Sequence, residues 1–256
     1  MAPLDSMAGS DRRPVVSITQ ARMTSSRLPG KVLREVAGKP LLAWHLERVK
    51  RARRIDSLAL ATSDLPSDDP VEALGLAMGV KVYRGPENDV LERFRLAWEG
   101  EGAATVVRLT GDCPLIDPGL IDAVVAAYLD ASEPVDHMAL DMGCFPNGVN
   151  VEVVARAALD AAAREARAPG EREHVTPFIY RRPDRFRLAA TNPGGDPAYA
   201  AHRWCVDEAA DFALVQWMIE TLAPIAPAFT WRECLSLVQA NPARAASNRH
   251  VVQRSA

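Results

Sequence analysis

Residues 14–34 read PVVSITQARMTSSRLPGKVLR, and the fold is decided by how that stretch divides. Its first half, PVVSITQ, is a short apolar run that reads as a buried strand. Its second half spreads Arg22, Arg27, Lys31 and Arg34 among Ser, Thr, Gly and Pro, so it reads as a basic loop. A strand that empties into such a loop opens an α/β sheet and, at the same time, marks a place for an anion.

The remainder of the chain repeats the strand half of that pattern. Apolar strands are expected at DSLALATS (56–63), VKVYRG (80–85) and ATVVRLTG (104–111). Between them lie KPLLAWHLERVKRA (39–52), an amphipathic helix with a basic outer face, DDPVEALGLAMG (68–79), and NDVLERFRLAWEG (88–100), with Asn88 as its cap. DPGLIDAVVAAYLDA (117–131) follows as a helix capped by Asp117. Strand and helix alternating over about 130 residues predict a mostly parallel sheet with right-handed crossovers and helices on both faces. From about residue 134 the pattern becomes irregular and reads as an elaboration on the sheet, to about residue 200. Residues 1–13 are expected to be disordered, 14–240 to form one domain, and 241–256 to be a polar, loosely packed tail.

Composition bounds the function. The chain has 256 residues, 48% hydrophobic and 25% charged, with a formal net charge of -3. That balance argues against a nucleic-acid-binding surface, which needs a domain-wide basic face. No apolar run is long enough to span a membrane, and the N-terminus lacks a secretory pattern. The four cysteines are far apart with no CxxC pair, which disfavours zinc and a disulfide scaffold. A cytoplasmic protein is expected.

In open α/β sheets ligands gather at the carboxyl ends of the strands. The basic loop can hold a polyphosphate there. Gly30, Ser25 and Ser26 let backbone N–H groups approach phosphate oxygens, Arg27 can grip two oxygens, and Lys31 is a point charge. The alternative is a solvated loop with scattered charge. Neither GxxxxGK[ST] nor GxGxxG occurs, which disfavours a Walker NTPase and a nicotinamide enzyme. Asp112, after one strand, and Asp207, at the end of an expected strand in HRWCVDEAADF (202–212), should meet near the same edge. Two carboxylates beside a polyphosphate point to Mg²⁺, although each Asp alone fits a turn or cap. Cys113 and Cys205 read as small packed side chains, Trp44 and Trp204 as core, and residues 48–54 as a solvated basic face.

Five segments, QARMTSSRLPGKVL, RGPENDVLERF, RLTGDCPLIDP, EREHVTPFI and RWCVDEAADF, together resemble the cytidylyltransferases of the spore-coat polysaccharide biosynthesis protein F type, relatives of the CMP-sialic-acid and CMP-Kdo synthetases. The resemblance spans about residues 15–222, in the family's order. It implies a glycosyltransferase-A-like nucleotidyltransferase fold and transfer of CMP from CTP to a sugar or sugar acid. By that resemblance the phosphate loop comprises Ala21, Arg22, Met23, Ser25, Ser26, Arg27 and Lys31, and the metal acids are Asp112 and Asp207. Arg22, Lys31, Asp112 and Asp207 form the catalytic set. The nucleobase loop runs from Arg84 and Gly85 to Asp89, with Thr62 and Asp64 nearby. The acceptor sugar is expected at Asn147, Asn150, Glu152, Glu173 and His174. Here the chain departs from the family pattern, which tends to carry Asp where Asn147 and Asn150 stand, and this leaves the sugar open. A homodimer is implied, built through the region of residues 134–200. Three alternatives stay open: the same chemistry with GTP or UTP, a glycosyltransferase of related fold (opposed by the lack of a DxD pair), and a non-catalytic nucleotide-binding regulator.

Overall fold

A computed structural model describes residues 12–252. The first strand, β1 (Val15–Gln20), leads through the basic loop to a small hairpin, β2 (Glu35–Val36) and β3 (Lys39–Pro40). There follow α1 (Leu41–Val49), β4 (Ser57–Ser63), α2 (Asp69–Ala77), β5 (Lys81–Gly85), α3 (Val90–Gly100), β6 (Thr105–Thr110) and α4 (Pro118–Leu129). The second half adds β7 (His137–Leu140), β8 (Glu152–Ala155), α5 (Arg156–Glu165), α6 (Pro169–His174), α7 (Pro177–Tyr180) and β9 (Leu188–Thr191). It closes with α8 (Ala209–Leu222), α9 (Trp231–Ala240) and α10 (Pro242–Ala245).

Seven strands form one sheet in the order β5-β4-β1-β6-β8-β7-β9. The four on the β5 side are mutually parallel, β8 runs antiparallel to both β6 and β7, and β9 pairs parallel with β7. The chain steps outward from β1 to β4 and β5, then returns to place β6 on the other side of β1. The crevice at the carboxyl ends of β1 and β6 is therefore a topological switch point, where such sheets bind ligands. Gln20 and Thr110 stand in register at that edge.

The period of two along β1 sorts side chains between the faces. Val15 joins a core formed by α1, α4, α8 and α9, while Val16 and Ile18 join another formed by α3, α5 and α7. Trp44 and Trp204 are buried, as expected. Side-chain oxygens of Asp89, Asp117 and Thr230 cap α3, α4 and α9. Asp117 accepts the Leu120 N–H at 3.0 Å and the Trp231 N–H at 2.9 Å, joining α4 to α9. Among the described residues no helix is long and apolar enough to cross a membrane.

Three expectations need correction. The cap of α3 is Asp89, not Asn88, because the Asp89 carboxylate accepts the Glu92 N–H. Arg48 is not on a solvated face. It is 2% exposed, donates to the Ile116 carbonyl at 2.6 Å and lies 4.5 Å over the Phe229 ring, and burial pushes its pKa down to about 10. No strand forms at residues 203–207, apart from a single bridge between Asn147 and Arg203. The described part of the tail is anchored at Asn248, which is 1% exposed and donates to the Arg203 carbonyl and to Asp211. Of the segment expected to be disordered, residues 1–11 lie outside the described residues; Arg12 donates to the Tyr128 carbonyl at 2.7 Å and Arg13 pairs with Asp56 at 2.5 Å.

Candidate active site

The basic loop is shaped by its own backbone. Met23 O accepts the N–H groups of Ser25 and Gly30, both at 2.9 Å, drawing the loop into a compact turn. Gly30 closes that turn at φ 69°, a conformation open to glycine at little cost. From below, the buried Asp68 carboxylate accepts the Met23 N–H at 2.7 Å. The short 3₁₀ turn Lys31–Leu33 then directs the Lys31 side chain into the crevice.

Lys31 Nζ lies 2.8 Å from Asp112 Oδ2 and 2.8 Å from Asp207 Oδ1. Burial alone would lower the Lys31 pKa, but the two carboxylates outweigh it and raise it above its ordinary value. Burial pushes Asp112 up, yet Lys31 more than reverses this and holds its carboxyl below the usual range. Arg27 reaches Asp207 at 2.9 Å and Arg203 reaches it at 2.5 Å. The four residues of the expected catalytic set thus converge in part: Lys31 contacts both Asp112 and Asp207, and Arg22 lines the same cavity, 3.6 Å from Glu173 and 3.9 Å from Glu87.

Asp207 reaches this point without a strand. The N–H of Val206 donates to the Asp112 carbonyl at 2.8 Å, and those of Trp204 and Cys205 donate to the Asn147 carbonyl at 2.6 and 3.2 Å. The close approach depends on Gly148, at φ 119°, where a Cβ would lie 2.5 Å from the Trp204 carbonyl carbon. Glu208 and Asp211 then form a capping box that starts α8.

Two cavities open on either side of Asp112. The first, about 250 Å³, is lined by Ala21, Arg22, Ser25, Ser26, Arg27, Lys31, Asp207 and Glu173 among others. The second, about 480 Å³, is lined by Asn147, Asn150, Glu152, Thr176 and Tyr180 among others. Gln20, Thr110, Asp112 and His174 line both. Glu173, expected on the sugar side, faces the first cavity and pairs with Arg22. Asn150 Oδ1 accepts the Gly148 N–H at 2.8 Å. Glu152 is saturated: Arg108 donates at 2.5 Å, and His137 and Thr176 each lie 2.9 Å from its other oxygen. Burial raises the Glu152 pKa, but Arg108 and His137 overcome this and hold it at about 2.

Thr62, Arg84, Gly85 and Asp89, expected around the base, line neither cavity. Thr62 is fully buried and donates to Asp68, so it braces the loop instead of facing the cavity. Arg84 donates to the Ser63 and Leu65 carbonyls and pairs with Asp69 and Glu72. Gly85 packs against Leu96 and Arg93, and its carbonyl accepts the Asp64 N–H. Asp89 caps α3 and binds Arg172. Met23 lines neither cavity.

Three contributors escaped the sequence reading. Arg93 is 1% exposed, lines the first cavity and donates to the Glu87 carbonyl at 2.9 Å; burial pushes its pKa down to about 10. Gln20 lines both cavities, and its Oε1 is buried without a hydrogen-bond partner among the described residues. Asp68 looks like an ordinary helix-opening acid in sequence. Only Gln20 carried a usable signal, as the polar end of an apolar strand. Burial raises the Cys113 and Cys205 thiols, consistent with packed side chains.

The arrangement can hold a polyphosphate against guanidinium and ammonium groups and a second molecule in the adjoining cavity. Residues 16–221 match the family described as Cytidylyltransferase. The chain is 32% identical over 233 residues to the spore coat polysaccharide biosynthesis protein SpsF of Bacillus subtilis (strain 168), covering 89% of this chain and 95% of that one. The fold is similar to that of a cytidylyltransferase from Leptospira borgpetersenii serovar Hardjo-bovis (strain JB197), with TM-score 0.85 and 26% identity over 94% of this chain and 99% of that one. It is also similar to a CMP:2-keto-3-deoxy-manno-octonic acid synthetase complexed with CTP, with TM-score 0.60 and 18% identity over 82% and 99% of the two chains.

Proposed function

The chain belongs to the cytidylyltransferase family, and from that premise we propose that it transfers CMP from CTP to a sugar or sugar acid, releasing pyrophosphate, in the making of a polysaccharide or glycan precursor. The observation that carries this reading is the contact of Lys31 with both Asp112 and Asp207 where two cavities meet. One cavity suits the nucleotide and the other the acceptor.

The triphosphate lies in the first cavity, against Arg22, Arg27 and Lys31, with Ser25 and Ser26 at its wall. An acceptor oxygen from the second cavity attacks the α-phosphorus in line, and the electron pair of the breaking bond leaves on pyrophosphate. Arg22 and Lys31 stabilise the charge that grows on the phosphate oxygens, from positions fixed before the reaction begins. Asp112 and Asp207 fit Mg²⁺, because two hard oxygen donors already converge on one cation, the Lys31 ammonium. When bound there, the ion supplies charge neutralisation and makes a coordinated hydroxyl more acidic. The protein is proposed to act in the cytoplasm as a homodimer, a reading supported by the family resemblance; the region of residues 134–200 carries the edge strand β9.

The test is to incubate the protein with CTP, Mg²⁺ and a panel of sugar acids and amino sugars and to seek CMP-conjugates by mass. Conjugates with pyrophosphate release are expected. Hydrolysis of a UDP-sugar without CTP turnover would instead mark a glycosyltransferase.

A further inference from the structure

The link between α6 and α7 is strained. Val175 sits at φ 71°, ψ -55°, a region that costs a β-branched residue about 1–3 kcal/mol. The Thr176 N–H donates to the His174 carbonyl at 2.8 Å, so residues 174–176 form a γ-turn of the rare hand. The turn is gripped on both sides. Val175 is fully buried in the core of α3, α5 and α7, and Thr176 donates to the immobilised Glu152. What the turn achieves is the placement of His174. Its side chain lines both cavities, as Asp112 does, and its ring makes no hydrogen bond among the described residues.

We propose that His174 accepts the proton of the acceptor hydroxyl. As that oxygen bonds to the α-phosphorus of CTP, its proton passes to an imidazole nitrogen, while the bond to the leaving oxygen breaks and its electron pair departs on pyrophosphate. The imidazolium later releases the proton to solvent. This role rests on the CMP-transfer reading above.

The other titratable groups of the second cavity are poor proton acceptors. Asp112 is held by Lys31, and Glu152 is saturated by three donors. Burial raises the pKa values of Tyr180, Cys113 and Cys205, which keeps them protonated. Around His174, burial lowers the pKa, Glu173 opposes this, and Arg108 and Arg181 reinforce it. Arg22 and Asp207 face the first cavity and Glu152 the second. The ring is therefore neutral near pH 7, the form that can take a proton.

The test compares wild type with His174→Gln and His174→Ala, measuring CMP-conjugate formation across pH and CTP binding by calorimetry with Mg²⁺. Expected are unchanged CTP affinity, turnover lower by about 10²- to 10⁴-fold, loss of the acidic limb of the pH profile, and partial rescue of His174→Ala by added imidazole. Variants that bind CTP normally and turn over within about threefold of wild type, or that keep the acidic limb, would overturn the role and leave the transfer reading intact. A wild type that yields no conjugate from any acceptor would overturn both.

Discussion

The carboxylate of Asp68 accepts the backbone N–H of Met23 at 2.7 Å, so a fully buried acid fixes the loop that lines the first cavity. Its other oxygen takes the Thr62 hydroxyl and the Ser63 amide and hydroxyl. Hydrogen bonds to a charged group contribute about 1.5–3 kcal/mol each, and an orphaned buried donor adds its own cost. Asp68→Asn, which cannot satisfy every donor, should lose about 3 kcal/mol in urea unfolding and raise the KM for CTP. An unchanged unfolding midpoint would show that the loop is held by other contacts.

Lys31→Ala should lower turnover by about 10²-fold or more in a pyrophosphate-release assay, by analogy with losing one fixed donor. The same change leaves Asp112 and Asp207 without the cation between them, which should raise the Asp112 pKa. Asp112→Asn should abolish activity in a way that added Mg²⁺ does not restore. Near-normal rates for either variant would remove these residues from the catalytic set.

Stability should fall on mild acidification because of His45. This ring is fully buried between the Thr19 hydroxyl and the Cys113 carbonyl, and burial pushes its pKa from 6.5 down to about 4. The unfolded chain takes up a proton near pH 6.5 that the folded chain refuses until about pH 4. The His45 contribution is thus intact above pH 6.5 and is lost between 6.5 and 4, by about 3 kcal/mol. Urea melts at pH 7 and pH 4.5 measure it, and His45→Gln should flatten the dependence. An equally steep dependence in that variant would place the sensitivity elsewhere.

Gly148→Ala should damage activity at a distance from the chemistry. The new Cβ would meet the Trp204 carbonyl carbon at 2.5 Å and the Cys205 nitrogen at 2.6 Å, both backbone atoms, at φ 119°. The segment carrying Asp207 must then shift, with a loss of several kcal/mol characteristic of a substitution at a special backbone position. A variant with wild-type melting and turnover would mean that the segment yields freely.

Arg84→Ala separates bracing from base reading. Since Arg84 binds the Ser63 and Leu65 carbonyls and two acids of α2, its removal should lower Tm by a few degrees. The preference for CTP over UTP should stay unchanged in a competition assay; an altered preference would restore Arg84 to the nucleotide site.

The sheet was legible because each βα unit carries its own pattern, as in SITQ followed by a basic loop or RLTG followed by Asp112. Helix α1 held a further signal that the basic-face reading passed over: Leu41, Trp44 and Arg48 lie at i, i+3 and i+7, on one stripe. The approach of Asp207 was not legible as geometry, since residues 204–206 pair with the carbonyls of Asn147 and Asp112 alone and not with a strand. No local periodicity encodes such a pairing. Glu173 and His174 adjoin in sequence, yet Glu173 lines the first cavity alone while His174 lines both.

Asn248 couples remote parts of the molecule. Its amide holds the Arg203 carbonyl at 3.0 Å and Asp211 at 2.8 Å, and Arg203 in turn holds Asp207. A polypeptide halted before this residue would keep the Lys31 and Arg27 contacts of Asp207 but lose the brace on Arg203. The end of the described chain therefore reaches, through Arg203, an acid that lines the first cavity.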